Sequence, residues 1–368
     1  MGQGAFGAAG TTAERGLKMN TDFLRVIAAS ANDRRALFLS TAVRLGTPLQ
    51  NVEKDFWVTV VLDLLFNGRD AHEPRLLFKG GTSLSKAYGL ISRFSEDIDI
   101  TVFREDIGQG MDVDGLQKLS GKQQRRQLEA IKGACKAYIQ GPLLSRINDQ
   151  MMGLLMQAGC PPNASPVVVD LDDADQQTLL VRYPSVMAGG DFYIQPTVKI
   201  EAGAKSALDP HRVVTVQPYV FDDMPQSNMR VSGVTTIDPE RTFWDKVIIL
   251  HGLRRWHDVR GQLRHQGHRV SRHYYDIYKL LASSVGPQAL RNQRLRQNCV
   301  NHALMFFNGT DLDLKSAVPG TFAIVPTLAM QAVLKRDYLA MSGMIFGEIP
   351  EFSEVVDATE KLQFVLND

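Results

Sequence analysis

Two aspartates separated by a single isoleucine stand in an apolar stretch of the sequence. Asp97 and Asp99 occur in SEDIDITVF, with Glu96 directly before them. The apolar residues predict a β-strand, in which alternate side chains point to one face of the sheet, so the two carboxylates share a face. Carboxylates held close together repel each other, and a divalent cation between them removes that repulsion. The pattern therefore favours a metal site over a solvated strand face.

A pair of glycines lies between this strand and the short apolar stretch RLLF. Glycine lets backbone amides approach a phosphate closely, and the N-terminus of a following helix favours an anion. We predict that helix over residues 82–91. The residues that could contact phosphate are Gly80, Gly81, Thr82 and Ser83. The two glycines could instead form an ordinary turn that connects a strand to a helix. The GxxxxGK[ST] pattern of a P-loop is absent from the sequence.

A third acidic residue lies in another predicted strand, VKIEAG. In that strand Val198 and Ile200 are expected to face the core, while Lys199 and Glu201 share the opposite face. Glu201 could complete a metal site, or act as a general base on an attacking hydroxyl. It could equally form a surface pair with Lys199, and the sequence leaves these interpretations open.

Two later motifs predict helices that carry charged residues. In DPERTFWDKVIILH, Asp238 is a plausible N-cap and Pro239 the first helical residue, and Lys246 offers a point charge to a triphosphate. In SRHYYDIYKLL, Asp276 follows Arg272 by four residues, so the two can pair on one helix face. The three tyrosines of this motif are either core residues or stacking surfaces for a base.

The densest basic stretch of the chain lies between residues 251 and 273. The formal net charge is +1, so any nucleic-acid surface must be a local patch. Arginine-rich loops suit a phosphate backbone, although a solvated loop has the same composition. The arginines that we predict to bind RNA are Arg254, Arg255, Arg264, Arg269 and Arg272.

The spacing of apolar residues changes along the 368-residue chain, which is long enough for two domains. Helical spacing occurs over residues 22–46, 50–66 and 120–158, and strand-like stretches occur over residues 76–103 and 178–238. From Pro239 onward the pattern is helical to the end. We predict an α+β fold with a mixed-sheet core in residues 19–238, a mainly helical lobe in residues 239–368, and a disordered extension over residues 1–18.

Composition narrows the class of protein. Apolar residues make up 44% of the chain and charged residues 22%, as in ordinary globular proteins. Cys135, Cys160 and Cys299 are widely spaced, which indicates a reducing compartment and predicts neither a disulfide framework nor a zinc site. No apolar run approaches the roughly 20 residues of a membrane span, and no signal peptide is recognisable. We therefore expect a cytoplasmic protein without membrane attachment.

Several motifs occur in a distinctive order along the chain. FKGGTSLSK, SEDIDI, KIE, ERTFWDK and RHYYDIYKL follow one another, flanked by VEKDFWVTVVL upstream and RDYLAMSGMIFGEIPEFSEVV downstream. This series resembles the AbiEii/AbiGii-type nucleotidyltransferase toxins of the DNA polymerase β-like nucleotidyltransferase superfamily. The resemblance extends over nearly the whole chain from about residue 19.

The resemblance implies a nucleotidyltransferase core and functional residues in each motif. Gly81 and Thr82 correspond to the family's turn, and Asp97 with Asp99 to its metal pair, which holds one or two Mg²⁺ ions. Lys246 and Asp276 correspond to a functional lysine and aspartate of the later motifs. Glu201 is the least secure correspondence, because the third acidic residue varies across this superfamily.

The same resemblance implies transfer of a nucleoside monophosphate from an NTP to an RNA, with the 3′ end of tRNA as the expected acceptor. That reaction blocks translation, and a cognate antitoxin would relieve it. We expect a monomer. The alternatives are nucleotidyl transfer to a protein or a small molecule, phosphoryl transfer from the γ-phosphate, and a non-catalytic module that binds RNA or a partner.

Overall fold

A mixed β-sheet carries the two aspartates on its central strand. The computed structural model describes residues 20–187 and 196–368, so the predicted extension over residues 1–18 lies outside the described residues. The strands are β1 (Leu76–Lys79), β2 (Asp97–Val102), β3 (Val167–Val169), β4 (Thr178–Arg182), β5 (Thr197–Gly203), β6 (His211–Val216) and β7 (Val231–Ile237). Their order in the sheet is β3-β4-β5-β2-β1-β7-β6. The pairs β2–β5 and β1–β7 are parallel and the remaining pairs are antiparallel.

The register of the three central strands brings the predicted site residues together. Asp99 is paired with Lys79 on β1 and with Glu201 on β5, and Asp97 is paired with Lys199 on β5. The intervening residues of β2 and β5 are fully buried in the core. The predicted alternation of charged and core faces is therefore confirmed on both strands.

Seven α-helices of the described residues lie before and between the strands. They are α1 (Thr21–Ala28), α2 (Ala31–Leu45), α3 (Leu49–Phe66), α4 (Gly80–Lys86), α5 (Val113–Gln117), α6 (Gly121–Tyr138) and α7 (Leu144–Gln157). Helix α3 is buried from Asn51 to Leu65 and packs on β2, β5 and β7. The buried residues include four with charged side chains: Glu53, Lys54, Asp55 and Asp63.

The chain after β7 is helical, as predicted. The helices are α8 (Pro239–Arg260), α9 (Ser271–Leu281), α10 (Val285–Arg291), α11 (Gln293–Phe306), α12 (Leu328–Met341) and α13 (Phe352–Asn367). Helix α8 packs against α9, α10 and α11, and a second hydrophobic cluster joins these helices to α12 and α13. The α+β fold class is confirmed, and the division into domains at residue 238 stays a prediction.

Three details of the predicted elements were wrong. Helix α4 begins at Gly80 and ends at Lys86, short of the predicted residue 91, and Gly89 follows in a left-handed conformation with φ +61°. A π-helical turn at Ile139–Leu143 interrupts the predicted helix over residues 120–158, where Pro142 lacks a backbone N–H. Strand β3 was missed because it has three residues. In the described part of the chain, no helix is long and apolar enough to cross a membrane.

Candidate active site

A cavity of about 530 Å³ lies between the sheet and the helices α8, α9 and α11. Six residues that the sequence predicts to be catalytic or to bind phosphate line it: Gly80, Gly81, Asp97, Asp99, Glu201 and Lys246. These residues come from four separate motifs of the sequence. Because the register of β1, β2 and β5 and the position of α8 bring them together, the cavity is the candidate active site.

Asp97 and Asp99 both pair with cations of the chain itself. The Arg269 Nη2 atom lies 3.1 Å from Oδ2 of Asp97, and the Lys79 Nζ atom lies 3.7 Å from Oδ1 of Asp99. Burial raises the pKa of Asp97, and the neighbouring Glu96 and Asp99 carboxylates raise it further, while Arg269 opposes them. The strand therefore concentrates negative charge that the chain only partly neutralises.

Glu201 lies close to the negative charges of Asp97 and Asp99. Burial raises its pKa, and the Asp99 and Asp97 carboxylates add to the shift. Its Oε1 atom also lies 3.4 Å from the Nζ atom of Lys199. The pairing with Lys199 that the sequence left open is therefore present, and Glu201 lines the cavity as well.

The metal-binding capacity of these carboxylates follows from their chemistry. Their oxygen atoms are the donors that Mg²⁺ prefers, and their mutual repulsion is what a divalent cation relieves. Within residues 20–187 and 196–368, however, no three side chains of the His, Cys, Asp and Glu types are gathered as a metal-binding group. The residues fit a cation held by Asp97 and Asp99, while the role of Glu201 as a third ligand stays a prediction.

The side chains around Gly80 and Gly81 leave no room for a Cβ atom at either position. Gly80 has φ +79°, and a Cβ atom there would overlap the carboxylate of Asp99. A Cβ atom on Gly81 would lie 2.5 Å from Nη2 of Arg93. The backbone of the turn thus approaches one of the candidate metal ligands more closely than any other residue type would allow.

The hydroxyl groups that follow the glycines are used inside the protein. Thr82 is fully buried, and its hydroxyl donates a hydrogen bond to the backbone carbonyl of Asp97 and lies 2.8 Å from the Ser95 hydroxyl. Ser83 is also fully buried and donates to the carbonyl of Gly80 at 2.9 Å. These hydroxyls fix the turn against β2, and neither residue lines the cavity described above.

Asp276 is the centre of a buried cluster of charges. Its carboxylate accepts two hydrogen bonds from Arg93, both 2.8 Å long, and lies 2.8 Å from Nζ of Lys246. Burial would raise the pKa of Asp276, but Arg93 and Lys246 outweigh it and hold the pKa below its usual range. Among the ion pairs of the described residues, Asp276 binds these two cations and not Arg272, so the predicted pairing along α9 was wrong.

The predicted RNA-binding arginines are not all at one place. Arg264 and Arg272 line the cavity, and Arg269 reaches Asp97. Arg254 and Arg255 pair with Asp258 farther along α8 instead. The tyrosines of α9 are core residues in two cases, because Tyr274 and Tyr275 are almost fully buried.

Several residues at the cavity were missed by the sequence analysis. Arg93, His273 and His302 line it, and so does Lys79. Arg93 stands four residues before Asp97 in ISRFSED, inside the motif that drew attention to the aspartates. It could have been considered there, whereas His302 lies in no motif of the resemblance and has no such signal.

The VEKDFW motif of α3 forms ion pairs with residues next to the site. Lys54 forms an ion pair with Glu96 at 2.7 Å, directly before β2, and Asp55 forms one with Lys86 at 2.6 Å, at the end of α4. These pairs join α3 to the end of α4 and to the start of β2, on either side of the segment that connects the glycines to the aspartates. Removing one partner of a buried pair leaves an uncompensated charge, so the pairs fix this segment in place.

A family of known proteins matches most of the chain. The sequence model of the family described as "Nucleotidyl transferase AbiEii toxin, Type IV TA system" matches residues 63–358. The solved structures that match include MenT4, a nucleotidyltransferase toxin from Mycobacterium tuberculosis H37Rv. That match has a TM-score of 0.41 and 15% sequence identity, and covers 91% of this chain and 99% of the other. No curated protein matches the sequence.

Proposed function

The chain belongs to the AbiEii family of nucleotidyltransferase toxins of type IV toxin–antitoxin systems, and from this premise we propose that it transfers a nucleoside monophosphate from an Mg²⁺-bound NTP to the 3′ end of tRNA. The observation that carries the proposal is the meeting of Asp97, Asp99, Gly80 and Lys246 in one cavity. Acidic side chains for a cation, close backbone approach and a buried lysine are what a triphosphate requires.

Charge explains how the cavity would receive the triphosphate. Arg93 and Lys246 line the cavity, while Asp276 lies behind them and neutralises one of the two positive charges. The cluster therefore presents a net positive charge to the phosphates, and its hydrogen bonds hold both cations in fixed positions. Asp276 acts as a positioning residue in this proposal, since it is fully buried.

The reaction is a displacement at the α-phosphorus of the NTP. The oxygen of the acceptor hydroxyl forms the new bond, and the bond to the β-phosphate oxygen breaks, so pyrophosphate leaves. A metal held by Asp97 and Asp99 supplies charge neutralisation at the phosphates. In this proposal Glu201 takes the proton of the hydroxyl, and its raised pKa suits that task.

The acceptor is proposed to be RNA because two of the predicted RNA-binding arginines border the site. Arg264 and Arg272 line the cavity, and a phosphate backbone would pair with them. The tRNA 3′ end is the acceptor implied by the family resemblance, and its modification would block translation in the cytoplasm. The family implies an antitoxin partner, and we further propose a monomeric toxin with a domain boundary near residue 238.

The first experiment is a labelling assay. The purified protein is incubated with total tRNA, Mg²⁺ and each α-³²P-labelled NTP in turn, beside the Asp97→Asn/Asp99→Asn variant. Asp357→Asn is the matched control, because Asp357 is an exposed carboxylate on α13. We expect label on tRNA with the protein and with Asp357→Asn, and none with the double variant.

Product analysis separates the alternatives. Nucleotidyl transfer releases pyrophosphate, whereas transfer of the γ-phosphate releases a nucleoside diphosphate. Label on the protein or on a small molecule in place of RNA would identify another acceptor. Absence of label with every NTP, together with normal binding of Mg²⁺-NTP, would overturn tRNA as the acceptor.

A further inference from the structure

The cavity has an apolar end that the proposed reaction does not use. Ile249 and Leu253 of α8 line it there, together with Phe307 and Leu312 of the segment after α11. Ile249 is 41% exposed and Phe307 is 49% exposed. Large apolar side chains exposed inside a cleft indicate a ligand with an apolar surface, because exposure to water alone would be unfavourable.

A buried histidine with one unpaired ring nitrogen lies at the same end. His302 lines the cavity and is 6% exposed, and its Nε2 atom has no hydrogen-bond partner among the described residues. Burial lowers the pKa of His302 to about 3, so the imidazole is neutral near pH 7. A buried polar atom without a partner costs free energy unless a ligand or water satisfies it.

The histidine ring is held in one orientation. It stacks on Phe306 with the ring centroids 4.5 Å apart and the planes 13° apart. Phe307 lies beside it, with its centroid 5.9 Å from that of His302. This end of the cavity therefore combines an aromatic face, aliphatic walls and a buried imidazole whose Nε2 atom has no hydrogen-bond partner among the described residues.

The apolar end is close to the carboxylates. Phe307 and Ser206 line the main cavity and also an adjoining cavity of about 250 Å³, which Asp99 and Glu201 line as well. A single ligand can therefore have a charged part at Asp99 and a flat apolar part at Phe307. The main cavity, at about 530 Å³, lies within the 300–1,000 Å³ typical of small-molecule sites.

We propose that this apolar end is the subsite for the nucleobase of the NTP, in which Phe307 stacks on the base and His302 Nε2 hydrogen-bonds to its edge. The inference rests on the proposed function, because it presumes that the triphosphate lies at the carboxylates. A nucleobase has two apolar faces and a polar edge, which is the chemistry that the two side chains complement. His302 is then a specificity-determining residue.

Binding measurements without an acceptor test this subsite. The ligands are the four α,β-methylene NTP analogues, which cannot transfer the nucleotide, and inorganic tripolyphosphate, which has no base. Affinities are measured by calorimetry with Mg²⁺ for the wild type, Phe307→Ala, His302→Phe and His302→Gln. Phe364→Ala is the matched control, since Phe364 is a 73% exposed phenylalanine on α13 that does not line this cavity.

We expect Phe307→Ala to bind the NTP analogues about tenfold more weakly, the loss typical of one base–aromatic stack. Its affinity for tripolyphosphate should equal that of the wild type and of Phe364→Ala. His302→Phe should reduce the difference in affinity between the best and worst analogues by about fivefold, the size of one hydrogen bond. His302→Gln, which keeps a hydrogen-bonding end, should retain more of that difference.

Three results would overturn parts of the argument separately. If neither tripolyphosphate nor any analogue binds, the proposed function fails together with the subsite. If both kinds of ligand bind and no variant changes the NTP affinities, the subsite fails and the proposed function stands. If nucleotide affinities are unchanged but the KM for tRNA rises in Phe307→Ala, the aromatic face belongs to a base of the acceptor, and the assignment to the NTP is wrong.

Discussion

Arg269 places its guanidinium against Asp97, with Nη2 and Oδ2 3.1 Å apart. The residue has φ +57°, and its backbone N–H donates to Oδ1 of Asp337 at 2.7 Å. Ser271 donates to the other oxygen of the same carboxylate, so Asp337 of α12 fixes the chain on both sides of Val270. An arginine thus occupies the carboxylate that the proposed function assigns to a metal ion.

Removing this arginine should strengthen metal binding in the absence of nucleotide. The Arg269 side chain is 54% exposed, and an ion pair of that exposure is worth at most about 1 kcal/mol. Arg269→Ala should therefore bind Mn²⁺ about two- to fivefold more tightly, as measured by electron paramagnetic resonance. Arg294→Ala, an exposed arginine on α11, is the control. Equal Mn²⁺ affinity in the wild type and Arg269→Ala would show that the guanidinium does not compete with the metal.

Two substitutions in the charge cluster around Asp276 should differ in their effects on stability and on activity. Asp276→Ala leaves Arg93 and Lys246 buried without their carboxylate, a loss that typically costs about 3–5 kcal/mol. Lys246→Met leaves Asp276 with both hydrogen bonds from Arg93. Urea unfolding should therefore show a larger loss of stability for Asp276→Ala, while Lys246→Met should abolish nucleotide transfer. Equal stabilities of the two variants would contradict this division of roles.

Gly80 and Gly89 form a matched pair for testing the close approach of the turn to Asp99. Both have positive φ, +79° and +61°, but only a Cβ atom at Gly80 would overlap the Asp99 carboxylate, and a Cβ atom at Gly89 would meet nothing within 4 Å. Alanine costs about 1–2 kcal/mol in either conformation. We expect both variants to lose that stability in urea unfolding.

Only Gly80→Ala should also lose Mn²⁺ affinity and about 100-fold in transfer rate, because a misplaced catalytic group has effects of that size. A Gly80→Ala protein with the Mn²⁺ affinity of Gly89→Ala would show that the position of Asp99 does not depend on the glycine.

His302 should make stability depend on pH in a predictable direction. Its pKa is lowered from 6.5 to about 3, chiefly by burial, and the nearby Arg241 and Arg104 act in the same direction. The unfolded chain therefore takes up a proton near pH 6.5 and the folded protein does not. The contribution of the neutral His302 side chain to the free energy of unfolding is therefore fully present above pH 6.5 and is lost as the pH falls towards 3.

Between pH 7 and pH 5, the free energy of unfolding should fall by roughly 1–2 kcal/mol more in the wild type than in His302→Gln. Urea unfolding at both pH values measures this difference. His251 and His273 also have lowered pKa values, but they are present in both proteins and cancel in the comparison. Parallel pH dependences of the two proteins would mean that His302 takes up its proton equally in the folded and unfolded states.

Residue types and their spacing were sufficient to identify side chains that could do the chemistry. Asp97 and Asp99 alternate on an apolar strand, and Val198 and Ile200 alternate with Lys199 and Glu201, so their faces followed from the two-residue period of a strand. The α+β class followed from helical and strand spacing in the same way. These features depend on near neighbours in the chain, which is why a linear pattern was enough to predict them.

Which of those side chains lie close together depends on the tertiary fold. The parallel pairing of β2 with β5 places Asp99 beside Glu201. These residues are far apart in sequence, so local spacing does not predict the register in which their strands pair. Asp276 could pair with Arg272 at helical spacing, but the fold gives it to Arg93, which is 183 residues away. A buried carboxylate is satisfied by whichever cation packing brings to it, and that depends on the position of every element around it.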